Sequence, residues 1–70
     1  MTHTYAVVIE PAGAGFSAYV PDLPGCVAAA STREGVLAEI RGAIQFHLEG
    51  LASEGQGAPA SSSSVEMVSV

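Results

Sequence analysis

The corner at residues 23–26, Leu-Pro-Gly-Cys, restricts the fold of this chain more than any other feature. These four residues fit a type II turn, because proline fixes φ at the second position and glycine takes the positive φ that the third requires. Pro21 holds the preceding Val20 in extended geometry and donates no hydrogen bond to a ladder. The segment therefore predicts a stiff corner between two strands, with Asp22 displayed on it.

Three strands are predicted around this corner. Residues 4–10 are rich in Tyr, Val and Ile and stop at Pro11; both of their faces are largely apolar, as in a central strand covered on two sides. Residues 11–15 predict a short hairpin loop, and residues 16–20 predict the returning strand. Residues 26–30 predict a third strand, which the poor β propensity of alanine weakens. Together they predict an antiparallel three-stranded sheet.

A helix is predicted to begin at Ser31 or Thr32. Ser31 and Glu34 have the spacing of a capping box, whereas Thr32 as the N-cap places Glu34 in the first turn, and both arrangements suit the positive end of a helix. Gly42 either lets another backbone approach closely or is simply tolerated in a packed helix. Apolar residues recur at threes and fours and form one stripe. The stripe consists of Val36, Leu37, Ile40, Ala43, Ile44, Leu48 and Leu51.

The C-terminal part of the sequence predicts a connector and a last strand. Residues 54–64 consist mostly of Gly, Ala, Pro and Ser, which is typical of a flexible connector. Residues 65–70 predict a fourth strand parallel to the first, with a frayed terminus as the alternative. We thus expect one α+β domain over residues 1–70, with element order β-β-β-α-β and sheet order 3-2-1-4, because the helix supplies the crossover that parallel pairing needs.

Size and charge limit what such a domain can do. A chain of this length buries only about 60% of its unfolded surface, and its single cysteine excludes an intrachain disulfide. One helix covers one face of the sheet, so we expect a second copy to cover the other and the protein to be a dimer or higher homo-oligomer. Two arginines, no lysine and seven carboxylates give a net charge of −5. This charge disfavours nucleic-acid binding and suits either a basic partner or simple solubility.

The sequence predicts no enzyme, cofactor or metal site. Glu10, Glu39 and Glu66 fall on the first strand, the helix and the last predicted strand; a two-metal site would need them to converge within a few ångströms, but we expect them on the surface. Cys26 is expected to pack as a small hydrophobic residue. His3, His47 and the serines at 61–64 lack the spacing or partners of a metal or nucleophile site. With no signal peptide or membrane span and a lone thiol, we expect a cytoplasmic protein.

The octet from Tyr19 to Cys26 resembles a hallmark of the HicB family, the antitoxin half of a bacterial toxin–antitoxin pair. The similarity extends upstream through residues 5–10 and 15–20, and downstream through residues 31–34 and the helix to about Glu49. The resemblance implies a truncated ribonuclease-H-like domain. It also implies a partner: a small basic RNA-cleaving toxin of the HicA type, whose RNA-binding and catalytic face the antitoxin covers.

We expect the partner-binding residues at the corner: Tyr19, Asp22, Leu23 and Pro24. Tyr19 is an aromatic with a polar tip, which is favoured at interfaces. The alternative is that Tyr19 packs against a second copy while Asp22 organises the turn. Many relatives carry a DNA-binding module after this domain, and these 70 residues contain none, so we expect no direct DNA binding. The alternative functions are an orphan homo-oligomeric structural or ligand-binding module without a toxin and, third, a vestigial nuclease.

Overall fold

The protein has an α+β fold of three strands followed by one helix, as predicted. A computed structural model describes residues 3–70. The strands are β1 (Val8–Ala12), β2 (Gly15–Tyr19) and β3 (Val27–Ala30), and the helix is α1 (Arg33–Ser53). The strands are antiparallel and lie in the order β1-β2-β3. The first three positions of the expected sheet order are therefore confirmed.

The first hairpin is tighter than the sequence predicted. Strand β1 continues through Pro11, which pairs with Phe16, so the predicted strand end at Pro11 is wrong. Because β1 is an edge strand, the missing N–H of Pro11 is tolerated. The loop shrinks to Gly13 and Ala14, and Gly13 takes a φ of 57°, which a two-residue hairpin turn requires.

The N-terminal boundary of β1 also differs from the prediction. Residues 4–7 were expected to extend the strand, but β1 begins at Val8. Val8 lies opposite Tyr19, the last residue of β2. The chain turns into the corner after Tyr19, so residues 4–7 have no neighbouring strand to complete their ladder.

Both ends of α1 are closed by local hydrogen bonds. Of the two predicted N-caps, Thr32 occupies the position, and its hydroxyl accepts a hydrogen bond from the Gly35 N–H at 2.9 Å. A Cβ on Gly35 would lie 2.9 Å from that hydroxyl, which explains a glycine so early in the helix. At the other end Gly55 takes a φ of 76°, and the N–H of Gln56 bonds to the Leu51 carbonyl. These bonds form a Schellman motif, which satisfies carbonyls that the helix leaves free.

The core lies between α1 and one face of the sheet. The fully buried helix residues are Val36 and Ile40, both from the predicted apolar stripe. Leu37, also in that stripe, remains 40% exposed at the side of the helix. The six buried residues are Ala18, Val20, Leu23, Cys26, Val36 and Ile40. Three of the six belong to the corner after β2, so the corner is part of the core.

The predicted fourth strand is not formed. Residues 56–70 contain neither helix nor strand, and Val65, Met67 and Val68 are strongly exposed. A strand forms by pairing its backbone groups with a neighbour, and over residues 3–70 the sheet ends at β1 without a pairing to residues 65–70. Among the described residues the sheet therefore holds three of the four expected strands. Over residues 3–70, no helix combines the length and the apolar character needed to cross a membrane.

The corner predicts a specific response to glycine replacement. Gly25 has a φ of 84°, while a Cβ there would meet nothing within 4 Å. Gly25→Ala should therefore lower the free energy of unfolding by about 1–2 kcal/mol through backbone strain alone. Gly42→Ala is the matched control, because a Cβ there also meets open space and alanine favours the helix by up to about 1 kcal/mol. Urea denaturation measures both, and equal effects of the two changes would contradict this explanation.

Candidate functional site

The corner between β2 and β3 consists of two successive turns. The N–H of Leu23 bonds to the Val20 carbonyl at 3.1 Å, and the N–H of Cys26 bonds to the Leu23 carbonyl at 3.0 Å. With Gly25 at its third position, the second turn is the predicted type II turn. A third bond, from the N–H of Val20 to the Cys26 carbonyl at 3.2 Å, closes the base of the corner. Backbone hydrogen bonds therefore close both turns and the base of the corner.

Leu23 anchors this corner from inside. Its side chain is 0% exposed and belongs to the same buried cluster as Val36 and Ile40 of the helix. Leu23 was expected to contact a partner directly, but a side chain in the core presents no surface. Its contribution is to fix the corner against the helix.

The other three expected site residues reach the surface. Tyr19 is 42% exposed at the end of β2, and Pro24 is exposed on the type II turn. Asp22 lies at the tip of the first turn and is half-buried. The structure therefore brings Tyr19, Asp22 and Pro24 onto one short, stiff segment.

The carboxylate of Asp22 binds the C-terminal segment, which the sequence did not predict. The N–H groups of Ser62 and Ser63 donate to Oδ2 at 3.0 and 3.1 Å. Their hydroxyls donate to Oδ1 at 3.1 and 2.8 Å. We call these four hydrogen bonds the Asp22–serine clamp. The sequence predicts Ser62 and Ser63 as part of a connector, and no local signal marks them, since about forty residues separate them from Asp22.

The clamp changes the acidity of Asp22. Hydrogen bonds from the backbone and hydroxyl of Ser63, with smaller contributions from Ser62, lower the pKa of the Asp22 carboxyl. Each bond stabilises the charged form, because a carboxylate accepts these donors better than a neutral acid does. The ionised state of Asp22 and the position of residues 62–63 are therefore linked.

A second contact holds the same segment near the N-terminal side of the sheet. The hydroxyl of Tyr5 donates to the Pro59 carbonyl at 2.6 Å. Together with the clamp, this bond fixes the path of the chain between the helix and the corner. The segment at 59–63 is thus attached to the domain at two places despite having no regular secondary structure.

Tyr19 also belongs to an apolar row on the face of the sheet that the helix leaves open. It lies opposite Val8 on β1 and Val27 on β3. The next residues in each strand, Ile9, Ala18 and Ala28, face the core. Because side chains alternate along a strand, Val8, Tyr19 and Val27 point to the opposite face. Val27 is 65% exposed. The open face therefore offers a short hydrophobic row that ends at the corner.

The residues considered for catalysis or metal binding do not come together. Glu10, Glu39 and Glu66 are exposed on β1, α1 and the C-terminal segment. Within residues 3–70, no group of three His, Cys, Asp or Glu side chains is placed to hold a metal ion. Burial raises the pKa of the Cys26 thiol, which keeps it in the unreactive form. Because none of these residues forms a site, the corner and its surroundings are the candidate functional site.

Comparison with known proteins gives a family and one distant phage relative. Residues 5–70 match the family described as HicB_like antitoxin of bacterial toxin-antitoxin system. The chain is also similar to an uncharacterized 14.9 kDa protein in the rep-hol intergenic region of Haemophilus phage HP1 (strain HP1c1). The two are 35% identical over 57 residues, which cover 81% of this chain and 43% of that protein. The chain therefore spans less than half the length of this curated relative. No solved structure matches it.

The clamp predicts a titration that couples Asp22 to the C-terminal segment. Because its folded pKa is lowered, the clamp contributes fully above the ordinary aspartate pKa of about 3.9 and is lost as the pH falls through the lower folded value. In an NMR titration, the amide signals of Ser62 and Ser63 should move with a midpoint below that ordinary value. Ser63→Ala should shift this midpoint upward, and Ser64→Ala, next to the clamp, should leave it unchanged. Ser62 and Ser63 amide shifts that do not change as Asp22 titrates would contradict the clamp.

Proposed function

Since the chain belongs to the HicB-like antitoxin family of bacterial toxin–antitoxin systems, we propose that it neutralises a small basic RNA-cleaving toxin of the HicA type. It does so by binding in the cytoplasm and covering the toxin's RNA-binding and catalytic face, without an enzymatic step of its own. The family match over residues 5–70 is the observation that carries this proposal.

Charge supports a basic partner. The chain has a net charge of −5 and only two arginines, so its field attracts a cationic protein and repels nucleic acid. Glu34, Glu39 and Glu49 are exposed along α1, and Glu10 is exposed on β1. Such complementarity raises the association rate and discourages acidic competitors more than it adds affinity. The acidic domain would therefore compete with RNA for the same cationic surface.

The corner supports a docking site that is already ordered before binding. Tyr19 and Pro24 are exposed, while three backbone hydrogen bonds and the buried Leu23 hold them in place. A preformed surface loses little conformational entropy when it binds, so more of the contact energy appears as affinity. Tyr19 is the strongest candidate for a central contact, because exposed tyrosines on rigid elements are frequent hot spots.

The open face of the sheet supports a homo-oligomeric state. The row of Val8, Tyr19 and Val27 is apolar and faces away from the helix. A domain with six buried residues gains stability when such a row is covered. We therefore include a dimer or higher oligomer in the proposal, in which the second copy covers Val8 and Val27 and the toxin binds Tyr19 at the corner end of the row.

The proposal predicts how a single exposed tyrosine affects toxin binding. With a catalytically inactive HicA-type toxin from the same genome, Tyr19→Ala should weaken binding at least 10-fold, which corresponds to about 1.4 kcal/mol. Phe46→Ala is the matched control, because Phe46 is 78% exposed on the helix, outside the corner, and its replacement should leave the affinity unchanged. Isothermal titration calorimetry measures both affinities.

Two results would decide against parts of this proposal. Absence of binding to any HicA-type toxin of that genome would favour an orphan module without a toxin. Binding that persists unchanged in Tyr19→Ala but is lost in Phe46→Ala would move the docking site to the helix. The affinity should also fall as salt rises, since the attraction between exposed charges is screened.

A further inference from the structure

The carboxylate of Asp22 differs from the other acidic groups of this chain. All seven Asp and Glu residues lie within residues 3–70, and the six glutamates among them are exposed. Asp22 instead is half-buried, on a corner whose turns are closed by backbone hydrogen bonds. A carboxylate held in one position can accept two parallel hydrogen bonds from the planar guanidinium group of arginine at little cost in conformational entropy. The corner therefore presents Asp22 in a way that suits arginine recognition.

In the free protein this carboxylate is already occupied. The two oxygens of a carboxylate offer about four acceptor sites, and the Asp22–serine clamp supplies four donors. Oδ2 accepts the two backbone N–H groups, and Oδ1 accepts the two hydroxyls. An incoming cation can therefore bond to Asp22 fully only if residues 62–63 move away.

The segment that occupies Asp22 is held by hydrogen bonds rather than by packing. Every residue of 52–70 is exposed except Ser63, which is half-buried. Within residues 3–70, five hydrogen bonds attach residues 59–63, which we call the strap: the four of the clamp and the one from Tyr5 to the Pro59 carbonyl. Exposed donors bond to water when they are released, so displacement of the strap leaves no buried group unsatisfied. The released chain also regains conformational entropy.

We propose that Asp22 is the receptor for an arginine side chain of the basic partner, and that the strap occupies this receptor until the partner displaces it. A guanidinium group adds a Coulomb attraction to the carboxylate that the neutral serine donors lack. The strap is therefore an internal competitor, which closes the corner to neutral ligands and yields to a cation. This inference rests on the proposed function and identifies the chemical group that the corner binds.

Titration with a short cationic peptide tests the receptor without any toxin. Tetra-arginine amide is added to the ¹⁵N-labelled full chain, and tetra-citrulline amide, which has a similar shape but uncharged side chains, is the control. Only tetra-arginine should shift the amide signals of Leu23 and Gly25 and move those of Ser62 and Ser63 toward the values of an unstructured chain. In Asp22→Asn the response of the corner should be lost, although contacts with the exposed glutamates persist. A corner response that is absent in the wild type, or that survives in Asp22→Asn, would overturn the receptor.

Two serine variants test the competition. Ser62→Ala/Ser63→Ala removes both hydroxyl donors to Oδ1, so the corner should bind tetra-arginine at least about threefold more tightly. Ser61→Ala/Ser64→Ala is the matched control, because these hydroxyls flank the clamp and take no part in it, and its affinity should equal that of the wild type. Equal affinities of all three proteins would show that the strap does not compete, and the inference would then be wrong.

Toxin binding is a separate readout of the same competition. An inactive HicA-type toxin should bind Ser62→Ala/Ser63→Ala more tightly than the wild type by a similar factor. Weaker binding by this variant would place the strap inside the docking surface and would contradict its displacement. If no such toxin binds any of the proteins while tetra-arginine still displaces the strap, the proposed function fails and the receptor at Asp22 is supported.

Discussion

Insertion of Leu23 into the core is the interaction on which the rest of this structure depends. The buried core contains six residues, and the corner supplies Val20, Leu23 and Cys26. The sheet and the helix supply the other three, together with partly buried residues that pack around them. In a domain this small, each buried leucine is a large fraction of the stabilising surface. The corner therefore contributes to the buried core at least as much as the helix does.

This arrangement lets one segment contribute to the core and present side chains at the surface. Leu23 points inward, whereas its neighbours Asp22 and Pro24 reach the surface. Tyr19 is exposed because the pleat of β2 turns its side chain away from the helix. The corner needs no rearrangement to present them. Asp22 also fixes residues 62–63 and so determines where the C-terminal segment leaves the domain.

Local chemistry explains what could be predicted from the sequence. The type II turn, the Thr32 cap and the helix stripe follow from residues close together in the chain, and the family expected from the corner octet is confirmed. The misses depend on distant neighbours. Pro11 is tolerated because β1 is an edge, Leu23 turns inward because the helix covers it, and Ser63 meets Asp22 across forty residues. Residues 65–70 form no strand in the structure, although the outer edge of β1 is unpaired.

Amide hydrogen exchange, measured with and without an inactive HicA-type toxin, tests most directly whether a preformed corner is the docking element. The account predicts that the amides of Leu23 and Cys26 are already strongly protected in the free protein, because they lie in closed turns over a buried side chain. It further predicts that the toxin adds protection around Tyr19 and the corner. Corner amides that exchange freely without toxin, or added protection located only elsewhere, would contradict it.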